Sequence, residues 1–149
     1  MTVEIRPATA DDAGAVGALA DTLGYPGAVE GLAGRLAAIL GAEGHRVLVA
    51  VRADGTVVAW THVFVTPRLE SSPYAEVGAM VVAEGERGAG IGSRLLAVAE
   101  DWAAAQGVTA MRVRSRVARD GARAFYEARG YALTKEQRVF DKGIAGAQP

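Results

Sequence analysis

The chain has 149 residues, of which 50% are hydrophobic and 22% charged, with a formal net charge of −1. That length fits one domain able to remove roughly 68–70% of its unfolded surface from water, and the near-neutral balance excludes intrinsic disorder and a dedicated polyanion-binding surface. With no cysteine and only His45 and His62 as histidines, disulfides, thiolate nucleophiles and cysteine- or histidine-rich metal sites are excluded as well. No metal and no nucleic-acid partner are therefore expected.

The opening stretch "MTVEIRPATADDAG" carries no basic segment followed by an apolar core, and no apolar run approaches the length that spans a bilayer. A cytoplasmic protein without a membrane partner is the expectation. In chain order, "VEIRPA" alternates Val3 and Ile5 with Glu4 and Arg6 before Pro7 and reads as a first strand. Thr9 and Asp12 have capping-box spacing and open a helix through about Leu23, which Gly24 and Pro26 end. A second helix, roughly Val29 to Ala42, places Leu32, Leu36, Ile39 and Leu40 on one side. "RVLVAVRADGTVVAWTHVFV" is two β-rich runs joined by Asp54-Gly55, a hairpin signal.

Residues 67 to 73 form a loop, and a strand follows from about Ala75 to Val82. Past Gly88, Gly90 and Gly92, the residues Ile91, Leu95, Ala99 and Trp102 recur at helical spacing to about Gln106, where Gly107 stops the helix. "VTAMRVRS" is the next strand, "ARDGARAFYEARG" a helix ended by Gly130, "YALTKEQRVF" one or two strands, and residues 142 to 149 a frayed tail. The order is β-α-α-β-β-β-α-β-α-β(-β) in one domain over residues 1 to 149. The strand-helix-strand unit from Ala75 to Ser115 implies a parallel pair, while the hairpin before it adds antiparallel strands, so the sheet is mixed.

The three alternating glycines stand where a strand hands over to a helix. A helix start without side chains in its way offers free N–H groups and the positive end of the helix dipole, which suits a pyrophosphate without a basic cluster; a merely tight turn would use the same residues. A P-loop is ruled out because Ile91-Gly92 stand where Gly-Lys is required. A dinucleotide fingerprint fits poorly: the spacing is Gly-x-Gly-x-Gly, and only one strand-helix-strand unit is present.

Arg87-x-x-Gly90-x-Gly92, the apolar strand ending at Val82 before it and the helix "IGSRLLAVAEDWA" after it together resemble the GNAT superfamily of acetyl-CoA-dependent N-acetyltransferases. "ARAFYEARGY" is similar to that family's later helix, and "IRPATADDAGAVGAL" to its opening, so the resemblance spans nearly the whole chain. It implies an α/β fold with a mixed, mostly antiparallel sheet of six or seven strands flanked by about four helices. It also implies that the backbone of Met80, Val81 and Val82 pairs with the pantetheine arm of acetyl-CoA. Arg87, Gly88, Ala89, Gly90, Ile91, Gly92 and Ser93 would hold the pyrophosphate. Arg119, seven residues before Tyr126, departs from the asparagine of many members.

Acetyl transfer to an amine needs the amine neutral and the departing thiolate protonated. The resemblance makes Tyr126 the acid, a phenol that stays protonated at neutral pH, although an aromatic packed at a helix end is the plainer use of that residue. Glu76, on the strand eleven residues before Arg87, matches the base of the branch resembling histone acetyltransferases. His62 and water compete for that role. The implied reaction is direct transfer to a primary amine in a ternary complex, with a non-catalytic acyl-CoA-binding or regulatory module as the alternative. The acceptor is a small-molecule or peptide amine, set by the loops at about 24 to 30 and 66 to 74, which contain or border Tyr25, Glu70 and Tyr74. A homodimer is common in the resembled family, though no residue here specifies one.

Overall fold

β-Branched residues recur along the strand runs of the first half of the chain, which pair with one another. In the computed structural model, which describes residues 2–22, 25, 27–115 and 121–145, strand β1 (Val3–Pro7) lies beside β2 (His45–Arg52). β3 (Val57–Val65), β4 (Ala75–Val82) and β5 (Met111–Val113) follow in the same sheet. The order is β1-β2-β3-β4-β5, antiparallel throughout except for the parallel β4–β5 pair. The Asp54-Gly55 turn joins β2 to β3 as its sequence predicts: Gly55 adopts φ 90°, and the Asp54 carboxylate accepts the Thr56 N–H at 2.9 Å.

Two helices cover one face of the sheet and one helix covers the other. α1 (Ala13–Thr22) and α2 (Leu32–Leu40) pack Val16, Ala20 and Leu36 against Val47, Val49, Trp60 and Val81. α3 (Ile91–Ala105) packs Ile91, Leu95, Ala99 and Ala103 against Leu48, Ala50, Ala59, Val63 and Ala75. The alternation along β2, Val47 and Val49 toward one layer and Leu48 and Ala50 toward the other, is the two-residue period of a strand buried on both sides. Trp60 and Trp102 both join these cores, Trp102 as its helical spacing predicts.

Asp12 closes the start of α1. Its carboxylate accepts the Thr9 N–H at 2.8 Å and two guanidinium bonds from Arg6, at 2.8 and 3.0 Å, which hold its pKa below the usual carboxylate value. The helix is preceded by a 3₁₀ turn at Ala10–Asp12. α2 is shorter than its periodicity suggests: Gly27 and Gly31 adopt positive φ and place a turn at residues 27–31, and Leu40 at its end is 41% exposed. Among the described residues, no helix is long and apolar enough to cross a membrane.

The chain divides into two compact units, Met1–Arg114 and Ser115–Pro149. The first holds all five strands and α1 to α3. The second holds α4 (Ala122–Glu127), entered through Gly121 at φ 78°. The one or two strands expected at 131–140 are not found: that stretch has no assigned secondary structure, and Val139 and Phe140 are 82% and 88% exposed. β-propensity there meets no pairing edge among the described residues, and without one it does not make a strand. The sheet therefore has five described strands rather than six or seven.

Candidate functional site

The sheet opens along β4. Its register against β3 shifts between His62↔Ala79 and Val63↔Val77, so Gly78 is an extra, bulged residue. A methyl group at Gly78 would come within 3.1 Å of the Phe64 ring and 3.3 Å of His62 Nδ1, so the close approach of these rings calls for glycine. On the opposite edge, β5 pairs only with Ala75, Glu76 and Val77. From Gly78 to Val82 that edge of β4 has no strand partner among the described residues. Met80, Val81 and Val82 thus offer backbone there, while their side chains pack into the cores on either face. The side chain of Thr61, fully buried in β3, donates to the Ala79 carbonyl at 2.8 Å and steadies the bulge.

Beyond Val82 the chain makes a 3₁₀ turn at Glu84–Glu86 and enters α3 through the glycines. Gly88 and Gly90 adopt φ 85° and 81°, the left-handed region, and Gly90 is the N-cap residue of α3 without a side chain to cap it. Arg94 N–H bonds the Gly90 carbonyl at 3.0 Å, but no described group accepts the amides of Gly88, Gly90, Ile91, Gly92 or Ser93. Arg87 through Gly90 are exposed, and the first turn of α3 carries no acidic side chain. The one carboxylate buried close by, Glu86 at 6% exposure, is paired with Arg52 at the end of β2, which fastens the turn to the sheet and removes the repulsion a free carboxylate would direct at an anion. Uncapped amides at a helix start suit an anion such as a phosphate, and these follow the open edge of β4 along the chain.

At the other end of that edge the charged residues gather. Glu76 accepts from Arg68 Nη2 at 3.3 Å and from Arg114 Nε at 3.1 Å, so both carboxylate oxygens are engaged, and Arg114 titrates above its ordinary value mainly because of that bond. Tyr74 lies between two guanidinium groups, with Arg68 Cζ 3.9 Å and Arg112 Cζ 4.3 Å from its ring centroid, and accepts a bond from Arg112 Nη1 at 2.8 Å. The arginines were not singled out by sequence reasoning. Arg112 and Arg114 are two apart on a strand and so share a face, which is a usable signal; their meeting with Arg68 and Glu76 is long-range and has none.

His62 stands beside the bulge. Its ring packs with Phe64 at 5.2 Å and with His45 at 5.2 Å, and His45 Nδ1 lies 3.0 Å from His62 Nε2. Burial, aided by the charge of His45, pushes the His62 pKa down to about 4. The ring is therefore neutral at pH 7 and a weak base. Since the unfolded chain protonates near pH 6.5 and the folded one near 4, stability is full above the first value and falls as the pH drops toward the second. The expected loss is roughly 2 kcal/mol, after allowing for the partial exposure of the ring. Urea unfolding at pH 7.0 and pH 4.5 should show it, and His62→Gln should flatten the difference; an equal fall in both proteins assigns the effect to other groups.

Tyr126 belongs to the second unit and is described there alone. It occupies α4, half-buried, with its ring edge-on to Phe125 at 5.1 Å and to Tyr131 at 5.8 Å, and its carbonyl accepts the Tyr131 N–H at 3.1 Å. Arg119 lies outside the described residues.

The sequence profile of the acetyltransferase (GNAT) family matches residues 22–131. No curated protein matches the chain. Among solved structures, the aminoglycoside 6'-N-acetyltransferase AAC(6')-Ih from Acinetobacter baumannii superposes with a TM-score of 0.84 at 19% identity, covering 97% of this chain and 100% of that one. A transcriptional regulator from Bacillus halodurans C-125 gives 0.86 at 22% identity, covering 95% and 100%. AAC(6')-Iy, in complex with the bisubstrate analog CoA-S-monomethyl-acetylneamine, gives 0.82 at 19% identity, covering 97% and 100%. At these identities the likeness establishes the fold, and proteins of different names share it.

Proposed function

The chain belongs to the GNAT family of acetyltransferases, and from that premise we propose that it carries acetyl directly from acetyl-CoA to a primary amine within a ternary complex. The observation that carries this reading is the set of uncapped amides at Gly88 and at Gly90 to Ser93, which follow the open edge of β4 along the chain. Acetyl-CoA, when bound, supplies an acyl group activated as a thioester. Arg87 and the amides of Gly88, Gly90, Ile91, Gly92 and Ser93 hold the diphosphate, while the Ala89 N–H, expected to join them, donates to the Glu86 carbonyl at 3.4 Å. The backbone of Met80, Val81 and Val82 pairs with the arm as a strand would.

In the exchange a C–N bond forms as the C–S bond breaks, so one proton leaves the amine and one reaches sulfur. Tyr126 supplies the second, its phenol being protonated at neutral pH. The first passes to water. His62 is too weak a base to take it, with a pKa near 4, and Glu76 is engaged by Arg68 and Arg114. Each Glu76 oxygen keeps a second lone pair, with which it orients that water and stands as the protein's own base candidate. The engagement of Glu76 also favours the second reading, a non-catalytic acyl-CoA-binding or regulatory module that keeps the amides and needs no base.

Both readings require CoA binding. Isothermal calorimetry should give a one-site isotherm with CoA and with acetyl-CoA, and ligand at 100 times its Kd should stabilise the fold by about 2.7 kcal/mol, raising Tm by roughly 5–10 °C. No heat and no shift with either ligand would end the proposal.

A further inference from the structure

At the acceptor end of the open edge, the described arginines outnumber the described carboxylates that they contact. Arg68 and Arg112 both lie against Tyr74, and Arg68 shares Glu76 with Arg114, so Arg112 contacts no carboxylate among the described residues and Arg68 has half of one. Glu70, in the same loop as Arg68, is exposed and makes no described contact with them. Arg68 Nε is buried without an acceptor among the described residues. Like charges gathered this closely, with donors left over, favour an anion that completes the arrangement.

The cluster is also at the right depth. Arg114 directly follows Val113, whose pairing with Val77 is the last rung before β4 and β5 part, and Glu76 is in the preceding rung. A linear arm running back from Val82 to Gly78 covers four strand residues, roughly 13 Å, and so ends its acyl group beside that last rung. Resting on the acetyl-transfer reading, the geometry points to an acceptor that is an anionic amine: a primary amine carrying a carboxylate, which Arg68 and Arg112 bind by charge-assisted hydrogen bonds while the amine faces the thioester. Arg114 and Glu76 position the other two, Glu76 by tethering Arg68 and Arg114 to β4. A polycationic amine meets repulsion at the same place.

Three amines of equal carbon count separate the possibilities: 4-aminobutyrate, butylamine and putrescine, which add a carboxylate, nothing or a second cation to the same primary amine. CoA binding is measured first, since its absence overturns the acetyl-transfer reading and this inference with it. Each amine is then titrated into the CoA-loaded protein by calorimetry, and kcat/KM is measured with acetyl-CoA. The expected order in both is 4-aminobutyrate, then butylamine, then putrescine, with at least a tenfold step between the first two that shrinks as salt rises. Arg68→Gln and Arg112→Gln, measured separately so that one folding failure does not void the test, should each narrow the ratio of 4-aminobutyrate to butylamine about tenfold or more. With CoA bound, an equal or reversed order, no binding of any of the three, or variants that weaken all three in parallel would each overturn the inference while leaving CoA recognition standing.

Discussion

Tyr126→Phe is expected to lower kcat by about 10²–10⁴ while leaving the Kd for CoA unchanged, the span associated with losing a positioned general acid. The substitution removes one oxygen and keeps the ring. Ring placement comes from edge-on packing against Phe125 and Tyr131, and α4 is set by Gly121 at φ 78° and the Tyr131 N–H to Tyr126 carbonyl bond. All of these are kept in the variant, and circular dichroism and Tm check directly that the second unit folds as before. The pH profile adds a readout that packing alone does not move: an alkaline limb set by ionisation of the phenol should vanish in the variant. A variant with parental kcat would leave the ring as a packing element and shift the balance toward the non-catalytic module. A parent that binds CoA but acetylates no amine would do the same.

Much of the fold was legible because its signals are local. The Asp54-Gly55 hairpin, the β1 alternation, the Thr9–Asp12 spacing and the Leu95–Ala99 stripe of α3 each act within a few residues, and each appears where its pattern puts it. The glycine turn was legible too, because a left-handed backbone at Gly88 and Gly90 admits few other residues. Non-local consequences were harder to see. β5 is three residues long instead of the eight of "VTAMRVRS", since its partner strand bulges at Gly78 and the parallel ladder stops at Val77. A glycine inside "EVGAMVV" does hint at such a bulge. The stretch 131–140 has strand-forming composition, but composition cannot supply a partner. The Glu86–Arg52 pair and the arginines around Tyr74 join positions far apart in sequence, and the engagement of Glu76 changes how its chemistry reads without changing its place in the motif.

Gly90→Ala should weaken CoA binding by about 100-fold or more, the cost of misplacing two amide bonds to a charged phosphate at roughly 1.5–3 kcal/mol each. An added methyl meets no atom within 4 Å, so the substitution acts through backbone strain at φ 81° and through the methyl standing over the amides. Gly107 is a matched control at the far end of the same helix, with φ 88° and likewise nothing within 4 Å of an added methyl. Gly90→Ala and Gly107→Ala should each cost about 1–2 kcal/mol of stability, lowering Tm by a few degrees. Only the first should lose CoA affinity. Acetylpantetheine, which has the arm and the thioester but no diphosphate, completes the comparison: its binding should be weak in the parent and no weaker in Gly90→Ala. An equal loss of CoA affinity in the two glycine variants would trace the effect to general destabilisation. An equal loss for acetylpantetheine and CoA in Gly90→Ala would move the diphosphate away from the start of α3. The amides at Gly88 and Gly90 to Ser93 lead into the helix that packs beneath β4, so in the proposed complex a grip on the diphosphate there would fix the depth of the whole arm. The Gly90→Ala enzyme at saturating acetyl-CoA should therefore recover most of its kcat, because the strained turn lowers how often the arm is seated and not how it lies once seated.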